Sequence, residues 1–358
     1  MVKSAAAHAA PSEALESIPA KSANDHAGES GHRLAGTPVS RAHRLAAITA
    51  AMMIPSPSET NGQIGVDSAG CAALSSAWTP LPCAANANTK MADALTNIVQ
   101  RKRAEVLAQR ASVPLDALKE RISELGRTRN FFQAVVDHGR QGHTRIIAEV
   151  KAKSPSAGTI RPDFDPVAIA RQYHAAGASA ISCLTDEASF GGRPEHIHAI
   201  RDAVRLPVLR KDFIIDEYQV WESRAIGADA ILLIAECLTE REIIDFQILA
   251  VELGMTTLLE VHDAANLYRV VNHVGFPHPG YSLLGINNRN LRTMKTDITH
   301  SLRMADFVDD PTTLVSESGI TTPTDLSRLR DHGIHIALVG EHLLREADPG
   351  LALRALLA

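Results

Sequence analysis

Residues 146–156 read IIAEVKAKSPS, a short aliphatic run that passes directly into charge. Strand side chains alternate between the two faces of a sheet, so Glu149, Lys151 and Lys153 share one face. If Glu149 points into a core, so does Lys151, and a charge in a dry core is costly unless it is paired. The stretch therefore reads as a buried strand whose tip carries paired charge.

The same texture recurs outward from it. Apolar runs stand at 180–184, 207–209, 230–234, 257–261, 283–286, 313–316 and 336–339, each followed by a helical stretch. Strands alternating with helices at roughly 25–35-residue intervals imply parallel βαβ units. Eight such units imply a closed (β/α)8 barrel, the TIM-barrel architecture, rather than an open sheet. The pairs Gly177-Ala178 and Gly227-Ala228 suit tight helix-to-strand turns, and no GxGxxG follows the first run, which weakens a dinucleotide-binding reading. An apolar content of 45% with only 4% aromatics predicts an aliphatic core, as a parallel sheet buried on both faces requires.

Residues 91–126 precede the barrel with two helical patterns. Leu95, Ile98, Val99, Val106 and Leu107 lie near one face of the first. Leu115, Leu118, Ile122 and Leu125 mark the second, which Ser112 and Pro114 introduce and Gly126 stops. A third, short helix holds Phe131, Phe132 and Val135. Residues 1–90 differ. Rich in Ala, Ser, Pro, Asn and Gly and without a sustained period, they bury too little apolar surface to offset ordering entropy, and a disordered low-complexity tail is expected. Glu13, Glu16, Asp25 and Glu29 speak against an organelle transit peptide. The barrel with its preceding helices is thus expected at 91–358, with Met91 a natural start.

The bulk properties exclude several classes. A net charge of −5 without a long basic block argues against nucleic acid as the main partner. No apolar run reaches the roughly 18 residues of a membrane span. Cys71, Cys83, Cys183 and Cys237 show no metal-site spacing and read as reduced thiols of a cytoplasmic protein.

In a barrel of this type, function sits at the C-terminal ends of the strands. Those ends carry Glu149-Val150-Lys151-Ala152-Lys153-Ser154, Arg210-Lys211-Asp212-Phe213, Glu260-Val261-His262, Asn287-Asn288-Arg289-Asn290, Ser316-Glu317-Ser318-Gly319 and Gly340-Glu341-His342. One such pair could be structural. Polar groups from at least five strands on one rim point instead to cations for an anionic substrate and carboxylates for proton transfer. Ser318-Gly319 and Gly340-Glu341 offer backbone N–H groups where glycine permits close approach, the usual phosphate seat of such barrels. Arg289 adds a cation suited to bidentate contact.

At these residues the chain resembles the indole-3-glycerol-phosphate synthase family. IIAEVKAKSPS, LRKDF (209–213), LLEVH (258–262), GINNRNL (285–291) and SESGI (316–320) occur in the family's order, and the likeness runs from about Ala92 to Leu357. The resemblance implies ring closure of 1-(2-carboxyphenylamino)-1-deoxyribulose 5-phosphate to indole-3-glycerol phosphate, with loss of carbon dioxide and water, in tryptophan biosynthesis. It implies a carboxy-lyase that uses no metal and no organic cofactor, with a small phosphosugar substrate. Association with other enzymes of the pathway leaves no mark in the residues. Carried over by motif, Lys211 is the general acid at the ketone oxygen, Lys151 holds the anthranilate carboxylate, and Glu260 serves the dehydration. Glu149 and Asn287 orient the substrate, and Glu317 supports binding. Lys153, Ser154, Arg289, Ser318, Gly319, Gly340 and Glu341 surround the phosphate, and Phe190, Phe213, Leu233 and Leu291 line the aromatic pocket.

One departure stands out. After Gly340 the family commonly carries small residues, often serine, whereas Glu341-His342 stand here; Glu341 is expected to point outward and His342 to pack. Two other readings exist. A phosphoribosyl isomerase would favour a pair of acid–base carboxylates and leaves the lysines unexplained. A non-catalytic ligand-binding barrel would have no need of Lys211 and Glu260, and both are present.

Overall fold

The computed structural model describes residues 85–136, 143–155, 157–290 and 293–358, with side chains described from Leu95 onward. Residues 1–84 of the expected 1–90 tail lie outside these, and the first described helix begins at Ala85, ahead of Met91.

Eight parallel strands close into one barrel. They are β1 (Arg145–Val150), β2 (Ala180–Leu184), β3 (Val208–Lys211), β4 (Ala230–Ile234), β5 (Thr256–Val261), β6 (Ser282–Asn287), β7 (Leu314–Glu317) and β8 (Ile336–Val339). Each pairs with its sequence neighbours, and β8 closes on β1 with Ile147 opposite Leu338. The expected runs match within two residues at each end. The third is displaced: β3 starts after Pro207, which has no N–H to donate, and continues through Arg210 and Lys211.

Strand alternation separates two cores. Ile147, Leu209, Leu232, Leu258, Leu283, Val315 and Leu338 fill the bore. Ile146, Ala148, Val208, Ile231, Leu233, Leu259, Leu284 and Val339 pack outward in the larger core, with residues of the surrounding helices. The same parity sends Glu149 and Lys151 inward above Ile147, and Glu260 inward above Leu258. The expected turns hold: Gly177 and Gly227 take φ of 96° and 91°, the left-handed conformation open to glycine.

Among the described residues three helices precede the barrel: α1 (Ala85–Ser112), α2 (Leu115–Glu124) and α3 (Phe131–Val135). Phe131 and Val135 of α3 join the bore cluster with Ala180, Ala230 and Ile336, the first residues of β2, β4 and β8, and so plug the N-terminal end. Val106 and Leu118 pack with Tyr218, but Leu107 is 69% exposed; one step of about 100° along a helix takes it off the face that holds Val106. The α1 helix is fixed to the opposite rim by charge. Lys102, nearly buried, places Nζ 2.9 Å from Asp186, 3.0 Å from Asp212 and 2.7 Å from Glu105. Arg101 reinforces it at 2.9 Å from Asp186.

No helix among the described residues is long and apolar enough to cross a membrane. Breaking a buried ion pair from one side costs several kcal/mol, because the partner charge stays buried. Lys102→Met should lower unfolding stability by about 3 kcal/mol, the lower end of that range because Arg101 still serves Asp186. Urea titration should show a reduced midpoint with an unchanged slope.

Candidate active site

The C-terminal mouth of the barrel opens into a cavity of about 1100 Å³. Its floor is one charge cluster delivered by alternate strands. Lys211, the last residue of β3, places Nζ 2.8 Å from Glu260 Oε2 of β5 and 2.9 Å from Glu317 Oε2 of β7. Asn287 Nδ2 donates to Glu260 Oε1 at 3.2 Å and accepts through Oδ1 from the backbone N–H of Arg289. At the end of β1, Glu149 forms a pair at 2.5 Å with Lys151, the residue just beyond Val150 and the strand's end.

Two glycines make room for these carboxylates. A Cβ on Gly285 would lie 2.4 Å from Glu317 Oε1, and one on Gly340 would lie 2.3 Å from Glu149 Oε1. Gly340 is thus small because Glu149 sits against it. Ser318 and Gly319 both take positive φ, 69° and 80°, and a Cβ on Gly319 would meet Thr296 at 2.9 Å, so close approach is required there.

Charge and burial set the protonation of the floor. Burial alone would discharge Lys211, but Glu260, Glu317 and Glu149 outweigh it and hold its pKa above the ordinary lysine range. Burial likewise disfavours the Glu260 anion, yet Lys211 and His262 hold this carboxyl well below the usual range. Glu317 goes the other way. Burial, then the charge of Glu260, push it up to about 8 against the pull of Lys211. One cation thus faces two carboxyls whose affinities are driven apart, the arrangement that separates a proton donor from a base.

The walls hold the remaining residues. Phe190 and Phe213 line the cavity with ring centroids 6.5 Å apart and near-parallel planes. Ser154, Arg289, Ser318, Gly319, Gly340 and Glu341 also line it. Lys153 does not. It sits in a short antiparallel pair with Thr159, with its stem beside Gly191. Leu233 is a correction: it faces the outer core, and its neighbours Leu232 and Ile234 line the cavity instead, since strand parity admits one set or the other. Glu341 is a second correction. It turns to the cavity rim, paired with Arg345 at 2.7 Å and Arg289 at 3.4 Å, so two guanidiniums offset the carboxylate expected to avoid the site. His342 lines the cavity too, rather than only packing. Leu291 lies outside the described residues.

Some contributors had no place in the sequence reading. Leu95 and Ile98 of α1 line the cavity, as does Arg345. His262 places Nε2 3.3 Å from Glu260 Oε1; period-two alternation from Glu260 is the signal that could have found it. Arg210, by contrast, faces outward and is fully used by Asp212, Glu222, Ser223 and Thr185.

A sequence model of the family described as indole-3-glycerol phosphate synthase matches residues 95–356. An indole-3-glycerol phosphate synthase of Laribacter hongkongensis is 44% identical over 269 residues, covering 75% of this chain and 100% of the relative. Its counterpart in Neisseria gonorrhoeae is 45% identical over 260 residues, 73% of this chain and 97% of the relative. One from Azoarcus sp. is 45% identical over 270 residues, 74% and 99%.

The protonation pattern is testable. Glu317 has a folded pKa raised from 4.5 to about 8, so its protonated form favours folding. That contribution is complete below the unfolded value and is lost as pH rises through about 8. Carboxyl-carbon NMR should show one glutamate titrating near pH 8, absent in Glu317→Gln. The variant should also gain stability relative to the natural protein between pH 5 and pH 9, a range of about four units spanning that titration. A signal near 8 that survives in Glu317→Gln would assign the proton elsewhere.

Proposed function

The chain belongs to the indole-3-glycerol phosphate synthase family, and from that premise we propose how its rim residues divide the reaction. The enzyme is a carboxy-lyase of tryptophan biosynthesis that closes the indole ring of 1-(2-carboxyphenylamino)-1-deoxyribulose 5-phosphate, releasing carbon dioxide and water. The observation that carries the division of roles is Lys211, held between Glu260 and Glu317 on the floor of an aromatic-walled cavity.

Ring closure requires the ring carbon bearing the carboxylate to attack a weakly electrophilic ketone. The oxygen of that ketone gains negative charge as the carbon–carbon bond forms. A fully charged ammonium aimed at it stabilises this charge and yields a proton once the oxygen becomes the stronger base. Lys211 is that general acid. Protonated Glu317, 2.9 Å away, returns a proton to the amine. Lys151, backed by Glu149, holds the departing carboxylate until carbon dioxide leaves and its bonding electrons restore the aromatic ring. Dehydration follows when the recharged Lys211 delivers a second proton to that same oxygen, which leaves as water, while Glu260 as the base takes a proton from the ring system. Asn287 orients Glu260 and the sugar hydroxyls.

The aromatic ring lies between Phe190 and Phe213, against Leu232 and Ile234. The phosphate is seated by Ser318, Gly319, Gly340 and Arg289, with Ser154 beyond the end of β1; Lys153, outside the cavity lining, adds only the field of its charge. Arg345 holds Glu341 at 2.7 Å while Arg289 touches it only at 3.4 Å, so Arg289 can turn to the phosphate and Glu341 stays paired. The enzyme works in the cytoplasm on a free small molecule, and residues 1–90 are dispensable for turnover.

Purified protein with the carboxyphenylamino substrate should produce indole fluorescence, and a folded sample without turnover would contradict the assignment. Lys211→Ala should lose at least about 10²-fold in kcat, the lower bound for one general acid. Near-normal turnover in that variant would remove Lys211 from the role. A chain starting at Met91 should match the full chain in rate, and a slower one would show that the tail contributes.

A further inference from the structure

We infer that His262 and Glu236 form a positioning pair behind Glu260, fixing its orientation and keeping it in the base form. The inference rests on the proton-handling role given to Glu260 above. Glu236 follows β4 in a short 3-10 turn, Ala235–Cys237, and reaches across to the end of β5. Its Oε1 accepts from the backbone N–H of His262 at 2.9 Å, which pins the carboxylate to that strand. Its Oε2 lies 3.3 Å from His262 Nδ1. Both of those atoms are buried and make no hydrogen bond among the described residues, so each has the other as its charge partner. The opposite ring nitrogen, Nε2, lies 3.3 Å from Glu260 Oε1. The imidazole is therefore sandwiched between two carboxylates, nearly out of solvent, in a line that runs Glu236, His262, Glu260, Lys211.

A buried imidazole without a carboxylate is driven neutral. Here burial opposes the charge, but Glu236 and Glu260, with Glu317 on β7, hold the ring above the ordinary histidine range. Among the described residues His300, on the helix Thr299–Ala305, also faces it; burial and Arg303 push His300 below the ordinary range and so leave it neutral. Glu260 consequently meets one cation at each oxygen: Lys211 at Oε2 and His262 at Oε1. Lys211 is the group whose charge changes during turnover. When it gives up its proton, His262 is the remaining cation that keeps Glu260 from taking a proton prematurely and holds the carboxylate plane in place. Glu236 acts at one further remove, by keeping His262 charged.

The test uses the full chain with His262→Gln, Glu236→Gln and Glu260→Gln. For His262→Gln, kcat should fall about tenfold because Glu260 loses its fixed orientation, and its acid limb should move to higher pH because the carboxylate loses a neighbouring cation. KM should stay within about twofold, since the pair acts on proton transfer and not on binding. Glu236→Gln should move the same limb in the same direction by less. Nitrogen NMR should show the His262 ring, identified by its absence from His262→Gln, as imidazolium at pH 7 in the natural protein and as neutral imidazole in Glu236→Gln. A limb that stays fixed in both variants overturns the inference, even if melting temperature falls, since a packing role lowers stability without moving it. A neutral His262 ring at pH 7 in the natural protein also overturns it; if His262→Gln fails to fold, the ring is identified through bonds from the assigned backbone of the natural protein, so this readout decides without kinetics and without that variant. Glu260→Gln keeps the two readings apart: normal turnover there defeats the role given to Glu260, while the ring measurement still reports on the pair itself.

Discussion

A lysine that must stay charged inside a barrel dictates much of the surrounding structure. Lys211 is mostly out of water, and an ammonium there is tolerable only if carboxylates replace its hydration. β5 and β7 supply one each, at 2.8 and 2.9 Å. The strand between them must then yield space, and β6 does so with Gly285, where any side chain would collide with Glu317. The same reasoning reaches β8, where Gly340 leaves room for Glu149. Such a cluster is weak evidence for stability, because well-packed apolar groups of the same volume often stabilise as much or more. Its presence is explained by chemistry: it keeps one group fully protonated, one ionised and one near the point of exchange.

The positions flanking the cluster serve it from the other face of the sheet. Arg210 and Asp212 flank Lys211, and both are buried in ion pairs that tie β3 to the helix Glu217–Ala225 and to α1. Asn288 follows Asn287 and spends its amide on Ser316, Ser301 and the carbonyl of Ser318, fixing the turn after β7. Asp186 caps the short helix Glu187–Phe190, which presents one aromatic wall, and is itself gripped by Lys102. Alternate residues thus do chemistry and hold the frame, as strand geometry allows. A change at Asp212 or Lys102 reaches the site by moving what carries it.

The barrel and the cluster were legible in the sequence because both follow from period-two alternation. Aliphatic runs gave the strands, and charged tips gave Glu149, Lys151, Lys211, Glu260 and Glu317, all of which meet at the floor. What escaped depended on phase or on long-range partners. Leu233 and Leu232 are indistinguishable by composition, and only the register of β4 decides which faces the bore. Glu341 looked repelled by the site because Arg345, one helical turn on, was not counted as its partner. Lys102 and Leu95 sit in a helix that the pattern located correctly but could not dock. His262 looked like a spare histidine until Glu236 arrived from a different strand end.

The central claim is that Lys211 meets the ketone oxygen of the substrate. A crystal structure with the substrate's ketone reduced to an alcohol, so that the ring cannot close, tests it directly. This hydroxyl should lie within hydrogen-bonding distance of Lys211 Nζ, with the aromatic ring between Phe190 and Phe213. A complex in which Lys211 remains bound to Glu260 and Glu317 alone, with another group at that hydroxyl, would contradict it.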